Sequence, residues 1–282
     1  MTTLQEDANV IRPLYDRPPV SETLLGVQFK PLRGFGALHY GLYWHNCLSE
    51  LGWLPEQDAP LFPRYAESFE NSQLRPNQSK PDEQIVGVRI SLKNEAGDRL
   101  LQFQPDKLYY SWQRTDSVEN QRPHYAELKK EFGTLFRTLT DFATENELGP
   151  IQPDLWEVKY LNMVPPGSLW SEPHDWHQVL PSLFQPTVSP VDGLRFATFE
   201  GEWYYEIQPQ LGRVRIRVAK MLLNQKPPPM LYIRLLARGE IGEKGLPDWP
   251  AGFDAGHAAC NKLFNAVTSP KSQNEWGIHH DS

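Results

Sequence analysis

Two periodicities divide the chain: alternation with a period of two predicts strands, and recurrence every three to four residues predicts helices. Leu25, Val27 and Phe29 alternate with Gly26, Gln28 and Lys30, the pattern of a half-buried strand. From about residue 36 to 51 apolar residues run round most of a helical circumference, with Tyr40, Trp44, Cys47, Leu48 and Leu51 on one stripe. Such a helix is either sandwiched in a core or presented to a partner. Residues 53–84 are polar and proline-studded and read as loop, with Pro63-Arg64-Tyr65 at the surface. Val86, Val88, Ile90 and Leu92 then alternate with Gly87, Arg89, Ser91 and Lys93. Leu101 and Phe103 follow, with Gln102 and Gln104 on the opposite face, and Leu108, Tyr110 and Trp112 complete an antiparallel meander with one apolar face. A helix predicted from 124 to 147 covers that face with Tyr125, Leu128, Phe132, Leu135, Leu139 and Phe142, and Gly149-Pro150 stops it.

The second half runs in the same order. A strand over 155–164 puts Trp156, Val158 and Tyr160 on one face. A short helix over 172–184 precedes strands at 195–208, 213–222 and 230–238, with Pro227-Pro228-Pro229 stiffening the connection before the last. A helix over 253–269 closes the unit, with Trp276 in the tail beyond it. The expectation is an α+β fold of two tandem βαβββα repeats, residues 18–150 and 151–282, forming one compact unit of antiparallel sheet covered by helices. Residues 1–17 read as a flexible arm. In this alignment Phe132 matches Phe264, and His257 and Cys260 take the places of Tyr125 and Leu128. The repeated order resembles TATA-binding-protein-like and helix-grip folds, which host DNA saddles and ligand cups, so it fixes no function.

Composition narrows the classes. The 282 residues are 39% hydrophobic and 22% charged, ordinary for a globular protein with a large core. The 26 prolines cluster between elements, which makes the loops stiff. A net charge of −7 argues against broad phosphate-backbone binding, so nucleic acid is an unfavoured partner. Cys47 and Cys260 form no disulfide framework or metal spacing, which suits a reducing compartment. The first residues show no basic start followed by an apolar run, and no apolar run reaches membrane-spanning length, so the expected location is the cytoplasm, without a membrane partner.

Candidate chemistry is sparse. Glu172, His174 and His177 lie at a helix start, but further ligands for a metal are not positioned by spacing. Asp254, His257 and Cys260 recur every three residues; as nucleophile or ligand set they lack a thiolate-favouring neighbour, and His257 reads as a buried structural histidine. Arg213, Arg215 and Arg217 alternate along one strand and, with Arg234 on the next, form a candidate anion- or ligand-binding stripe. The preceding strand carries Glu202, Tyr204, Glu206 and Gln208 on its polar face; with a turn at 209–212, Gln208 faces Arg213, Glu206 faces Arg215 and Tyr204 faces Arg217. The stripe is then largely self-neutralised. Tyr40, Trp44, Leu48 and Leu51 are the candidate partner-binding surface. No catalytic, cofactor-binding or metal-ligating residue is assigned, and no nucleotide-binding or hydrolase motif is present.

PPVSETLLGVQFKPL near the start, LLQFQPDKLYYSWQR with HYAELKKEF in the middle, and DAGHAACNKLFNAVTSP with NEWG at the end resemble a sporadically distributed, uncharacterised bacterial protein family. The resemblance runs from Pro18 to Gly277 and departs at Ser111, where that family has Asn before the tryptophan. It implies no activity and no cofactor. Its scattered distribution implies an accessory role beside mobile gene clusters of the defence or toxin–antitoxin kind. The expected function is a non-enzymatic accessory protein that binds a protein partner or forms a homo-oligomer. The alternative is a ligand or nucleic-acid sensor using the polar sheet face, and an enzyme of unknown class comes third.

Overall fold

The computed structural model describes residues 13–56, 59–66, 77–78, 87–115, 122–184, 197–207, 210–223, 226–243 and 245–280. In chain order the elements are β1 (Pro13–Tyr15), β2 (Val20–Phe29), α1 (Ala37–Tyr43), β3 (Leu54–Pro55), β4 (Tyr65–Ala66), β5 (Asn77–Gln78), β6 (Ile90–Lys93), β7 (Arg99–Gln104), β8 (Lys107–Gln113) and α2 (Tyr125–Glu145). They continue with β9 (Pro153–Val164), α3 (Trp176–Val179), β10 (Gly201–Ile207), β11 (Gly212–Leu223), β12 (Lys226–Glu240), α4 (Trp249–Val267), α5 (Pro270–Glu275) and β13 (Ile278–His280). The fold is α+β. Nine strands form one antiparallel sheet in the order β10-β11-β12-β9-β2-β8-β7-β6-β3, and the two halves of the chain join in it through β2 and β9.

One face of the sheet carries the core. Leu25, Val27, Phe29, Leu101, Phe103, Leu108, Tyr110 and Trp112 alternate inward from one half, and Trp156, Val158, Tyr160, Ile216, Ile233 and Leu235 from the other. α2 lays Leu128, Phe132, Leu135, Leu139 and Phe142 on this face, at the spacing the sequence predicts. α4 adds Phe253, Cys260, Phe264 and Val267. It begins at Trp249, four residues before the expected start, because the Asp248 carboxylate accepts the Ala251 N–H at 2.9 Å and caps the helix there. Gly252 and Gly256 form a notch for the indole of Trp156; a β-carbon at Gly252 would stand 2.3 Å from that ring. Phe132 meets Phe253 and Trp249 edge-on, with ring centroids 4.9 and 5.1 Å apart.

Several expectations change. The arm is docked at its end: β1 pairs with β13, and Tyr15 packs edge-on against Phe264 and Trp276. Residues 1–12 and the strand starts expected at 195 and at Val86 lie outside the described residues. The helix over 36–51 is α-helical only to Tyr43, then widens to a π turn at Trp44–Leu48 and tightens to a 3-10 turn at Ser49–Leu51. The helix over 172–184 shrinks to a 3-10 turn at Pro173–Asp175 and the single turn of α3. Pro227–Pro229 lie inside β12, beside an irregularity in its pairing with β11, where missing N–H groups break no regular ladder. Trp276, in the tail beyond α4, is buried.

Candidate functional site on the open sheet face

The face opposite the helices is polar, and strand pairing sets its composition. Reading across neighbouring strands gives the row Glu206, Arg213, Arg238, Glu157, Gly26, Tyr109, Gln102, Ser91. Two regions of this face differ in how their charges are satisfied.

The central region is closed. The segment 59–66, expected as surface loop, lies over β2, β8 and β7 as a strap. Gln104 holds both backbone groups of Phe62: its carbonyl accepts the Phe62 N–H at 2.9 Å and its amide donates to the Phe62 carbonyl at 3.0 Å. Gln28 does the same for Tyr65, at 2.8 and 2.9 Å. Between them the Arg64 guanidinium donates to the Phe29 carbonyl at 2.6 Å, to Asp106 at 3.1 Å and to Asp154. Arg89 stacks over the Phe62 ring at 3.6 Å, and Arg238 over the Tyr65 ring at 3.8 Å. Tyr109 meets Phe62 edge-on, and Gly26 gives it room, since a β-carbon there would lie 2.1 Å from the Tyr109 ring.

Beneath the strap, charge is balanced. Asp106 and Lys107 are fully buried and 3.3 Å apart. Burial pushes the Lys107 ammonium down to about 8, against the attraction of Asp106. Arg238 donates to Glu157 at 2.9 Å, and both side chains are under a tenth exposed. Burial raises the phenols of Tyr65 and Tyr109 above the usual tyrosine range, with Glu157 adding to the rise. Three cations, Arg64, Lys107 and Arg238, thus face three carboxylates, Asp106, Asp154 and Glu157, in contact or next to one another.

The lateral region is loosely paired. Arg215, Arg217 and Arg234 converge on Glu202, each 3.9 Å from it. Arg217 also lies 3.6 Å from Glu200, and the Tyr204 hydroxyl donates to Glu202 at 3.0 Å. The Nε groups of Arg215 and Arg234 are buried and make no hydrogen bond. The expected register is corrected by two residues: Glu206 faces Arg213, Tyr204 faces Arg215 and Glu202 faces Arg217. The connection keeps the expected length and sits one residue earlier, since Ile207 already pairs with Gly212; the pairing therefore moves by two residues, which preserves each side chain's face. Glu202, not Glu206, is therefore the carboxylate at the centre of the arginines.

The other candidates separate. Tyr40 and Leu48 turn into the core, so a continuous partner-binding stripe does not form on α1 and the turns after it. Trp44 is half-buried and donates to the Trp53 carbonyl at 2.8 Å, while Leu51 is exposed. Cys260 is buried, and burial pushes its thiol up to about 12, far from a thiolate. Asp254 points outward to Lys129 and Tyr125, away from Cys260. His257 stacks flat on Tyr125 at 3.9 Å and lies 2.6 Å from the Tyr160 hydroxyl, a packed position between α2, α4 and β9. At the α3 start, the Asp175 carboxyl accepts from Ser171 and Glu172 backbone N–H groups, which hold it down to about 2. His174 lies 3.2 Å from Asp175, and His177 is 2.7 Å from the His174 carbonyl. Among the described residues no group of three or more His, Cys, Asp or Glu side chains could hold a metal ion, and no described helix is long and apolar enough to cross a membrane.

Sequence reasoning missed the central region. The one available signal was polar: Gln28, Gln104 and Lys107 on the outward positions of strands otherwise rich in apolar residues. The chain matches no protein-family model and no curated protein.

Proposed function

We propose that this chain is a non-enzymatic binding protein that holds an acidic protein partner on the open face of its sheet. One observation carries the reading: three guanidiniums surround a single carboxylate, and none of them comes within hydrogen-bonding distance of it. Each is a forked donor matched to carboxylates. Contacts of 3.9 Å are too long for hydrogen bonds, so a partner's carboxylate would complete the pattern that Glu202 leaves open. The facing glutamates keep the excess charge small, which favours a peptide carboxylate over a polyphosphate chain.

The architecture proposed with it is two copies of one βαβββα unit, resembling TATA-binding-protein-like and helix-grip sheets. In support, β2, α1, β6, β7, β8, α2 is followed by β9, α3, β10, β11, β12, α4, with β3 to β5 as additions. Outward from the centre the strands run β2-β8-β7-β6 on one side and β9-β12-β11-β10 on the other. Tyr125 and His257, matched by the sequence alignment of the halves, stack on each other, as matched residues do at a two-fold axis. The resemblance to a sporadically distributed bacterial family supports an accessory, cytoplasmic role beside a mobile gene cluster.

A labelled glutamate-rich peptide and a labelled single-stranded oligonucleotide, each titrated at two salt concentrations, test the partner class. Peptide binding that weakens at least tenfold in Arg217→Ala and Arg234→Ala supports the proposal. Peptide binding indifferent to both substitutions defeats it. Sub-micromolar oligonucleotide binding lost in Arg215→Ala would make nucleic acid the partner instead.

A further inference from the structure

We infer that the centre of the open face is a reading site for an extended peptide, filled in this chain by its own residues Phe62–Tyr65. The inference is independent of the arginines around Glu202. It rests on how the strap is held. Gln104 and Gln28 each engage the N–H and the carbonyl of one strap residue, Phe62 and Tyr65, three positions apart. A side-chain amide that pairs with both backbone groups of a residue imitates a neighbouring strand, so the face of the sheet reads an extended backbone as an edge would. Pro63 lies between the clamped residues and brings no N–H that would go unpaired.

The side-chain positions are equally defined. Asp106, Asp154 and the Phe29 carbonyl form an acidic seat for one guanidinium. Aromatic rings before and after it lie under Arg89 and Arg238. The ligand class is therefore an extended segment of the form aromatic-Pro-Arg-aromatic, presented by a partner protein. Among the described residues the nine-stranded sheet does not depend on the strap: β4 pairs with β5 and not with the sheet, and the main-chain tie from 59–66 to the strand region is the Ala59–Arg89 bridge. An incoming segment can replace Phe62–Tyr65 without breaking the strand ladder. The resident strap competes from within the chain, at an effective concentration on the order of millimolar for a short tether. It acts as an autoinhibitory occupant.

The test is fluorescence anisotropy with a labelled peptide of residues 61–66, titrated against the full chain and its Arg64→Ala variant. Emptying the acidic seat weakens the internal competitor, so the expected result is binding to Arg64→Ala at least tenfold tighter than to wild type. The same peptide with its arginine replaced by alanine should not bind, and adding Asp154→Asn to the variant should weaken binding. A folded Arg64→Ala chain that ignores the peptide, or takes both peptides equally, overturns the inference. Concentration-dependent dimers of Arg64→Ala that exclude the peptide would also overturn it, in favour of strap exchange between copies. Should Arg64→Ala fail to fold, hydrogen exchange on the wild type decides. Phe62 and Tyr65 amides exchanging at least a hundredfold faster than those of Tyr110 and Trp112 support a replaceable strap; equal rates make it an integral part of the core. Loss of acidic-peptide binding in the Arg217 and Arg234 variants reports on the lateral region alone, so either proposal can fail without the other.

Discussion

The two regions of the open face carry the same residue types and treat them oppositely. Around Glu157 and Arg238, the Asp106–Lys107 and Arg238–Glu157 pairs are closed to water and in contact, and Arg64 reaches Asp106 and Asp154 at the margin. Around Glu202 three arginines share one carboxylate at 3.9 Å. Buried charges must be matched or the fold is lost, whereas half-exposed charges can remain under-matched because water screens them. Under-matching is thus affordable only at the surface, where a partner can complete it.

Four substitutions or conditions sharpen or break this contrast. The largest effect is expected for Glu157→Ala, which leaves Arg238 buried beside an empty position; urea unfolding should show a loss of about 3–5 kcal/mol. A loss under 1 kcal/mol would erase the distinction between the regions. Next is the pH dependence of Lys107. Its ammonium is lowered by burial from 10.5 to about 8, so between these values the unfolded chain binds more protons than the folded one. Stability should therefore rise with pH across that window, by about 3 kcal/mol at most. Lysine-free behaviour in Lys107→Met, taken as the difference from wild type, isolates this group from the tyrosines. A wild type and a variant with parallel stability curves from pH 7.5 to 10.5 would show that Lys107 titrates normally.

Gln104→Ala comes third. It leaves the Phe62 N–H and carbonyl without their clamp, and thermal unfolding should report a loss of about 1–3 kcal/mol. The smallest effect belongs to Arg215→Ala. Its ion pair with Glu202 is loose and partly exposed, so stability should move by less than about 1 kcal/mol, while acidic-peptide binding falls. A stability loss as large as that of Glu157→Ala would make the lateral arginines structural and remove the basis for a partner there.

What the sequence determined by itself is the class of the long segments and the inward face of the central strands. Period-two alternation at Leu101, Phe103, Leu108, Tyr110 and Trp112, and helical spacing at Leu128, Phe132, Leu135 and Leu139, follow from backbone geometry and need no distant contact. The helical burial of Cys260 was legible for the same reason, whereas His257, expected to be buried, is half-buried against Tyr125 and Tyr160. Tertiary structure decided the rest. Tyr40 goes inward from the regular helix onto Phe35 and Phe103, and Leu48 goes inward at the end of the π turn that follows, which shifts the stripe that an ideal helix would show. The pairing of Arg217 with Glu202 depends on where the turn sits, which alternation cannot fix, since a slip of two residues leaves every side chain on its own face. The strap depends on residues far apart in the chain: Arg64 meets Asp106 and Asp154 across intervals of 42 and 90 residues. Local pattern carries no record of such meetings, because the energy that places Arg64 there arises only after β2, β7, β8 and β9 have brought their polar positions together.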